Sequence, residues 1–88
     1  MTAQVNLTIR MFGAFKRYRQ GNLLIAVDAG SSISIVKSKI VSELLKSGPV
    51  DTDLVNKSVL ADSVQILKES EIVCDDSILA ILPPVCGG

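Results

Sequence analysis

Only one stretch of this chain has a helical period long enough for a full helix, and it lies between runs with the period of two that marks strands. Ile33, Val36, Ile40 and Leu44 recur at spacings of three and four, which predicts a helix over residues 33–47. Ser31 or Ser32 can accept a backbone N–H as N-cap, and Gly48-Pro49 supplies the stop. Val41 and Leu45 widen the apolar stripe, while Lys37, Ser38, Ser42, Glu43 and Lys46 fill much of the remaining surface. Three Ile and two Val within it lower its intrinsic propensity. Packing against a sheet must therefore supply most of its stability.

The strands that would make that sheet lie on both sides. Val5, Leu7, Ile9 and Met11 alternate with Asn6, Thr8 and Arg10, a strand with one buried face. Gly13 and the polar segment 16–22 interrupt it before Leu23-Leu24-Ile25-Ala26-Val27, and Asp28-Ala29-Gly30 closes this second run. The two form a hairpin with a long, irregular connection. Beyond the helix, residues 50–58 read as irregular, 59–61 and 64–67 as short strands, and 68–75 as a polar connection pinned by Ile72 and Val73. Asp75-Asp76-Ser77 is a turn. Residues 78–82 are almost continuously apolar, which predicts a central strand beside the first, covered on both faces or shielded by a partner.

Hairpin, helix, short strands and final strand make an α+β pattern with one main helix across a mixed sheet. This is the connectivity of the ubiquitin-like β-grasp fold, although other small α+β folds share it. The chain divides into a domain over residues 1–82 and a tail over 83–88. At 88 residues one core is expected, and 48% hydrophobic against 20% charged residues is enough to fold without a metal or disulfide staple. Nine basic and nine acidic side chains cancel, which argues against nucleic acid or an anionic membrane as partner. Cys74 and Cys86 lack the spacing of a disulfide framework or zinc site, and no signal peptide or apolar span is visible. The cytosol is the expected compartment.

The chain ends Leu82-Pro83-Pro84-Val85-Cys86-Gly87-Gly88. Pro83 and Pro84 fix φ and lack an N–H, so they end the ladder and hold the tail away from the body. Two adjacent residues without Cβ can pass a narrow channel. No other segment looks reactive. With no His in the chain to activate it, Cys86 is better read as a tolerated small residue than as a nucleophile, and Cys74 as an ordinary loop or core-edge residue. Phe12 and Phe15 are core residues or partner-facing anchors; Phe12 falls on the face opposite Met11. The basic residues Lys16, Arg17 and Arg19 form a solvated loop or meet acidic groups on a partner.

On that terminal pattern, on the segment Arg10-Met11-Phe12-Gly13-Ala14-Phe15 and on the helix position, the chain resembles the small, sulfur-carrier subunit of molybdopterin synthase, the MoaD family. The likeness spans nearly the whole chain, with the tail its specific part. It departs at Asp75-Asp76-Ser77, where that family often has Asp-Gly-Asp, and the departure predicts a positive φ at Asp76.

The resemblance implies that an ATP-dependent adenylating enzyme related to ubiquitin activators converts the Gly88 carboxylate to an acyl-adenylate. A persulfide sulfur then displaces AMP to leave a thiocarboxylate. The synthase large subunit, in a heterotetramer of two small and two large subunits, takes up the tail from Pro83 through Gly88 and transfers the sulfur to cyclic pyranopterin monophosphate. The carrier holds no stable cofactor or metal; acyl-AMP and thiocarboxylate on Gly88 are transient, and catalysis belongs to its partners. Two other readings share the Gly-Gly tail: a carrier for thiamine synthesis or tRNA thiolation, and a ubiquitin-like modifier that forms isopeptide bonds. A frayed chain end is the bland alternative.

Overall fold

A computed structural model describes residues 3–84 of the chain. Its main sheet has five strands in the order β2-β1-β7-β4-β5: β1 (Gln4–Met11), β2 (Leu23–Asp28), β4 (Val59–Ala61), β5 (Ile66–Leu67) and β7 (Ser77–Leu82). β1 and β2 form the expected antiparallel hairpin, joined through a 3-10 helix at Gly13–Arg17. β7 is central, parallel to β1 and antiparallel to β4. The helix α1 (Ile33–Leu45) follows a two-residue strand, β3 (Ser31–Ser32), and packs across the inner face of the sheet. This is the α+β β-grasp arrangement read from the pattern.

The core forms where the strand alternation meets the helical stripe. Val5, Leu7, Ile9 and Met11 from β1, Leu23, Ile25 and Val27 from β2, and Leu79 and Ile81 from β7 face Ile33, Val36, Ile40 and Leu44 of α1. Ser32 caps α1 by accepting the Ile35 N–H at 3.3 Å. Lys46 is its C-cap, and Gly48 follows at φ +145°.

Several expectations are corrected. Residues 50–58 are not irregular: α2 (Thr52–Lys57) forms because the Asp51 carboxylate accepts the Leu54 N–H at 3.1 Å while Val55 is buried. Ile72–Val73 is strand β6, paired antiparallel with β3. The strand expected over 64–67 is only Ile66–Leu67, since Asp62 Oδ1 takes the N–H groups of Val64 and Gln65 at 2.7 and 2.8 Å and holds them in a turn.

Lys37 is not on the surface. It is 6% exposed, and its ammonium donates to the Asn56 carbonyl and pairs with Glu69, at 3.3 and 3.2 Å. Leu45, conversely, is exposed rather than part of the buried stripe. Asp76 does not adopt a positive φ: no residue but glycine does so among the described residues. Its side chain instead accepts the Asn6 N–H at 2.7 Å, just before the β1–β7 ladder begins at Leu7 and Ser77.

Candidate functional site

The root of the tail is set by the parallel pairing of β1 and β7. Met11 is the register partner of Ile81, so continuing the register by two residues brings Phe12 beside Leu82 and Gly13 beside Pro83. The contact is tight. A Cβ on Gly13 would lie 2.8 Å from Pro83 Cγ, and Gly13 has φ +56°. Gly13 thus serves two geometric needs at once, the left-handed turn into the 3-10 helix and the space for the proline ring.

Below this junction the 3-10 turn is held by Phe15 and Tyr18. The Phe15 N–H donates to the Phe12 carbonyl at 3.1 Å, and the Phe15 ring, 0% exposed, lies 6.4 Å from the ring of Tyr18. Phe15 is therefore a core residue and is not available as a partner anchor, because its turn directs it inward. The Tyr18 hydroxyl accepts the Asp51 N–H at 3.0 Å and a weaker bond from Arg17 at 3.3 Å. Those bonds, Asp51's first, hold the phenol below its ordinary range. They also tie the 3-10 turn to the start of α2.

Phe12 is half-buried, on the outer face, with the Arg10 guanidinium 5.1 Å from its ring. It heads a band that crosses that face. The pairings Thr8–Ile78, Arg10–Ala80, Ala80–Ala61, Ala61–Ile66 and Val59–Leu82 put these side chains on one side of the sheet. Ile78 and Ile66 are 65% and 60% exposed. β7 is accordingly buried on one face alone, so of the two expected alternatives, cover on both faces or shielding by a partner, the first does not hold and the outer face is exposed.

Of the predicted site residues, Pro83 lies against Gly13 and Phe12 comes beside Leu82, the residue before Pro83, while Phe15 is in the core. Val85, Cys86, Gly87 and Gly88 lie outside the described residues. Cys74 is exposed as a free thiol. Gly13, Arg10, Ile66 and Ile78 were not singled out as site residues from the sequence. The sequence signals for Gly13 are its place two residues after β1 and in the segment Arg10-Met11-Phe12-Gly13-Ala14-Phe15, and it acquires meaning through the pairing of β1 with β7. Among the described residues no cluster of His, Cys, Asp or Glu is arranged to hold a metal, and no helix is long and apolar enough to cross a membrane.

No family model and no curated protein matches this chain. Solved structures do. The solution structure of the Haloferax volcanii HVO 2177 protein aligns with TM-score 0.69 at 17% identity, over 97% of this chain and 88% of that one. The crystal structure of SAMP1 from Haloferax volcanii aligns with TM-score 0.67 at 15% identity, over 94% and 99%. A Caldiarchaeum subterraneum ubiquitin aligns with TM-score 0.64 at 16% identity, over 98% and 100%. At these identities the shared property is the fold, which is ubiquitin-like β-grasp.

Proposed function

We propose that this ubiquitin-like domain is a sulfur carrier that presents Gly88 to partner enzymes, and that its pathway is molybdopterin synthesis. The observation that carries the reading is the junction of Pro83 with Gly13 at the end of the central strand. A strand hydrogen-bonded on both sides is the most rigid place in the sheet from which to project an arm. Two prolines at its exit lower the entropy lost when a partner takes up that arm. The apolar outer face, headed by Phe12 and Leu82, supports the same reading, because it adjoins the tail root and gives a partner area to grip while the tail enters its site.

The chemistry follows from the terminal group. A carboxylate is a poor electrophile, so Gly88 has first to be adenylated by an ATP-dependent partner, with release of pyrophosphate. The outer sulfur of a partner's persulfide then attacks the acyl carbon and AMP leaves, giving an acyl disulfide; a second thiol of the partner cleaves its S–S bond, which releases the thiocarboxylate and leaves a disulfide on the partner. In the large subunit the thiocarboxylate sulfur bonds to cyclic pyranopterin monophosphate, and water then cleaves the acyl–sulfur bond, which leaves the sulfur on the pterin and returns Gly88 to a carboxylate. The carrier contributes position and access; the partners contribute the catalytic groups. The cytosol is the compartment proposed for this exchange.

The likeness to a structure named as a ubiquitin favours one second reading, a modifier whose Gly88 forms an isopeptide bond with lysine. The two are separated by intact-mass measurement on protein from its native cell. Replacement of one oxygen by sulfur on the C-terminal fragment is expected for the carrier, and conjugates of larger mass for the modifier. Deleting Gly88 should leave the fold unchanged and abolish sulfur transfer to the pterin precursor. Transfer that survives the deletion would sink the carrier role, and failure to copurify with the synthase large subunit would remove the molybdopterin assignment.

A further inference from the structure

β2 is the edge strand of the five-stranded sheet on the side away from β4 and β5. The Ala29 N–H donates to the Ala3 carbonyl at 2.8 Å, and this bond sets the phase of the β1–β2 ladder. Hydrogen-bonded and non-bonded pairs alternate in an antiparallel ladder. Leu23, Ile25 and Val27 therefore turn their N–H and C=O groups toward β1, while Leu24, Ala26 and Asp28 turn theirs to the open edge. The Asn6 N–H is consistent with that phase, since it points the other way and reaches Asp76. None of the edge-facing groups of Leu24, Ala26 or Asp28 has a hydrogen-bond partner among the described residues.

Exposed edges are ordinarily blunted by a charge, a proline or a bulge. Within β2 the one charge is Asp28 at its end; Leu23-Leu24-Ile25-Ala26-Val27 contains no charge, proline or bulge, and the register with β1 runs unbroken from Gln4–Asp28 to Ile9–Leu23. Leu24 is 69% exposed.

We propose that this edge pairs antiparallel with the same edge of a second copy of the chain, joining two five-stranded sheets about a two-fold axis near Ile25. The register that lets Leu24 and Ala26 exchange backbone bonds puts Leu24 of each copy opposite Ala26 of the other, with Asp28 opposite Asn22. Charge favours a second copy as the occupant. Arg19 Nε donates to the Asn22 carbonyl at 2.9 Å, which holds the guanidinium where Asp28 of the other copy arrives. Lys39 and Glu43 of α1, 3.9 Å apart, border the same edge beside Leu24 and Ala26, and Glu43 also pairs through its other oxygen with Lys46 at 2.9 Å, which leaves Lys39 the less engaged of the two. A cation and an anion flanking a two-fold axis meet their opposites in the other copy. The interface is independent of the carrier reading, since β1 separates β2 from the strand that bears the tail.

One strand pair buries less than the roughly 1,200 Å² of a stable interface, so the dimer is weak, with a dissociation constant on the order of 0.1 mM. Sedimentation velocity and amide exchange on the full chain, from roughly 0.01 to 1 mM, test it. The expected result is a dimer fraction that rises with concentration, together with growing protection of the Leu24 and Ala26 amides. Ala26→Pro removes an edge-facing N–H without removing a bond to β1, and should abolish dimerisation. Leu24→Lys should weaken it about tenfold or more, and it decides the matter if the proline variant fails to fold. Removing Gly87 and Gly88 should change nothing in this assay. A chain that stays monomeric throughout would overturn the proposal, as would a dimer that survives Leu24→Lys, one abolished by Ile78→Lys while Leu24→Lys is tolerated, or an edge occupied by an added extended peptide but never by a second copy.

Discussion

Replacing Gly13 with alanine tests the junction between the domain and its tail. Two costs arise at the same methyl group. A non-glycine residue at φ +56° loses about 1–2 kcal/mol. The new Cβ also starts 2.8 Å from Pro83 Cγ and 3.5 Å from its Cδ, and a proline ring cannot swing aside without moving its own backbone, which adds about 1–3 kcal/mol. The sum is about 2–5 kcal/mol, against a total stability of about 5–12 kcal/mol for a domain of this size. At about 4–8 °C per kcal/mol, the melting temperature should fall by about 8–40 °C.

Urea denaturation of a double-mutant cycle with Pro83→Ala separates the two costs. Without the ring, Gly13→Ala should cost only the backbone part, giving a coupling energy of about 1–3 kcal/mol between residues distant in sequence. If Gly13→Ala costs the same with and without Pro83, or less than about 0.5 kcal/mol in both, then Gly13 does not seat the tail root and the reasoning fails. Where the variant is still folded, its displaced tail should also lower the rate of adenylation.

Other outcomes follow from side chains that the fold has placed unexpectedly. Phe15→Ala should cost about 3–5 kcal/mol in urea denaturation, because the ring is fully buried; a small effect would mean that the 3-10 turn packs otherwise. Lys37→Met keeps the buried stem but loses the bonds to Asn56 and Glu69, so it should cost about 1 kcal/mol and loosen α2, read as faster amide exchange at Val55. The Asp62 carboxyl is held below its usual range, first by the Val64 N–H and then by that of Gln65. The stabilisation it contributes is present above the unfolded carboxylate pKa and is lost as pH falls through the lower folded value. An NMR titration of Asp62 should show the depressed midpoint, and Asp62→Ala should restore ordinary exchange at the Val64 and Gln65 amides.

Long, strongly periodic elements were legible before any coordinates. β1, α1 and the site of β7 follow from apolar spacing, since a strand or helix of that length repeats its pattern often enough to identify it. Short elements escaped for the converse reason. α2 has six residues and β3 and β6 two each, too few for a period, and each exists because a partner elsewhere supplies its bonds: Asp51 for α2, and β3 and β6 for one another. Charge is normally exposed, which puts Lys37 outside on pattern alone; in the fold its stem is buried while the ammonium meets the Asn56 carbonyl and Glu69. The run over 78–82 leaves cover on both faces and shielding by a partner equally open in the sequence, because alternation is invisible when every residue is apolar.

Local chemistry by itself specified one helix that needs a sheet, an alternating first strand, an apolar last strand and a diproline tail ending in Gly87-Gly88. Those are properties of neighbouring residues, fixed by spacing, side-chain volume and backbone freedom. Folding decided which distant residues meet. The parallel pairing of β1 with β7 brings Gly13 to Pro83, buries Phe15, and opens Ile66 and Ile78 to the outside, while the position of β2 at the edge leaves Leu24 and Ala26 with free backbone bonds. These follow from register between segments far apart in the chain, and register depends on how the whole core packs.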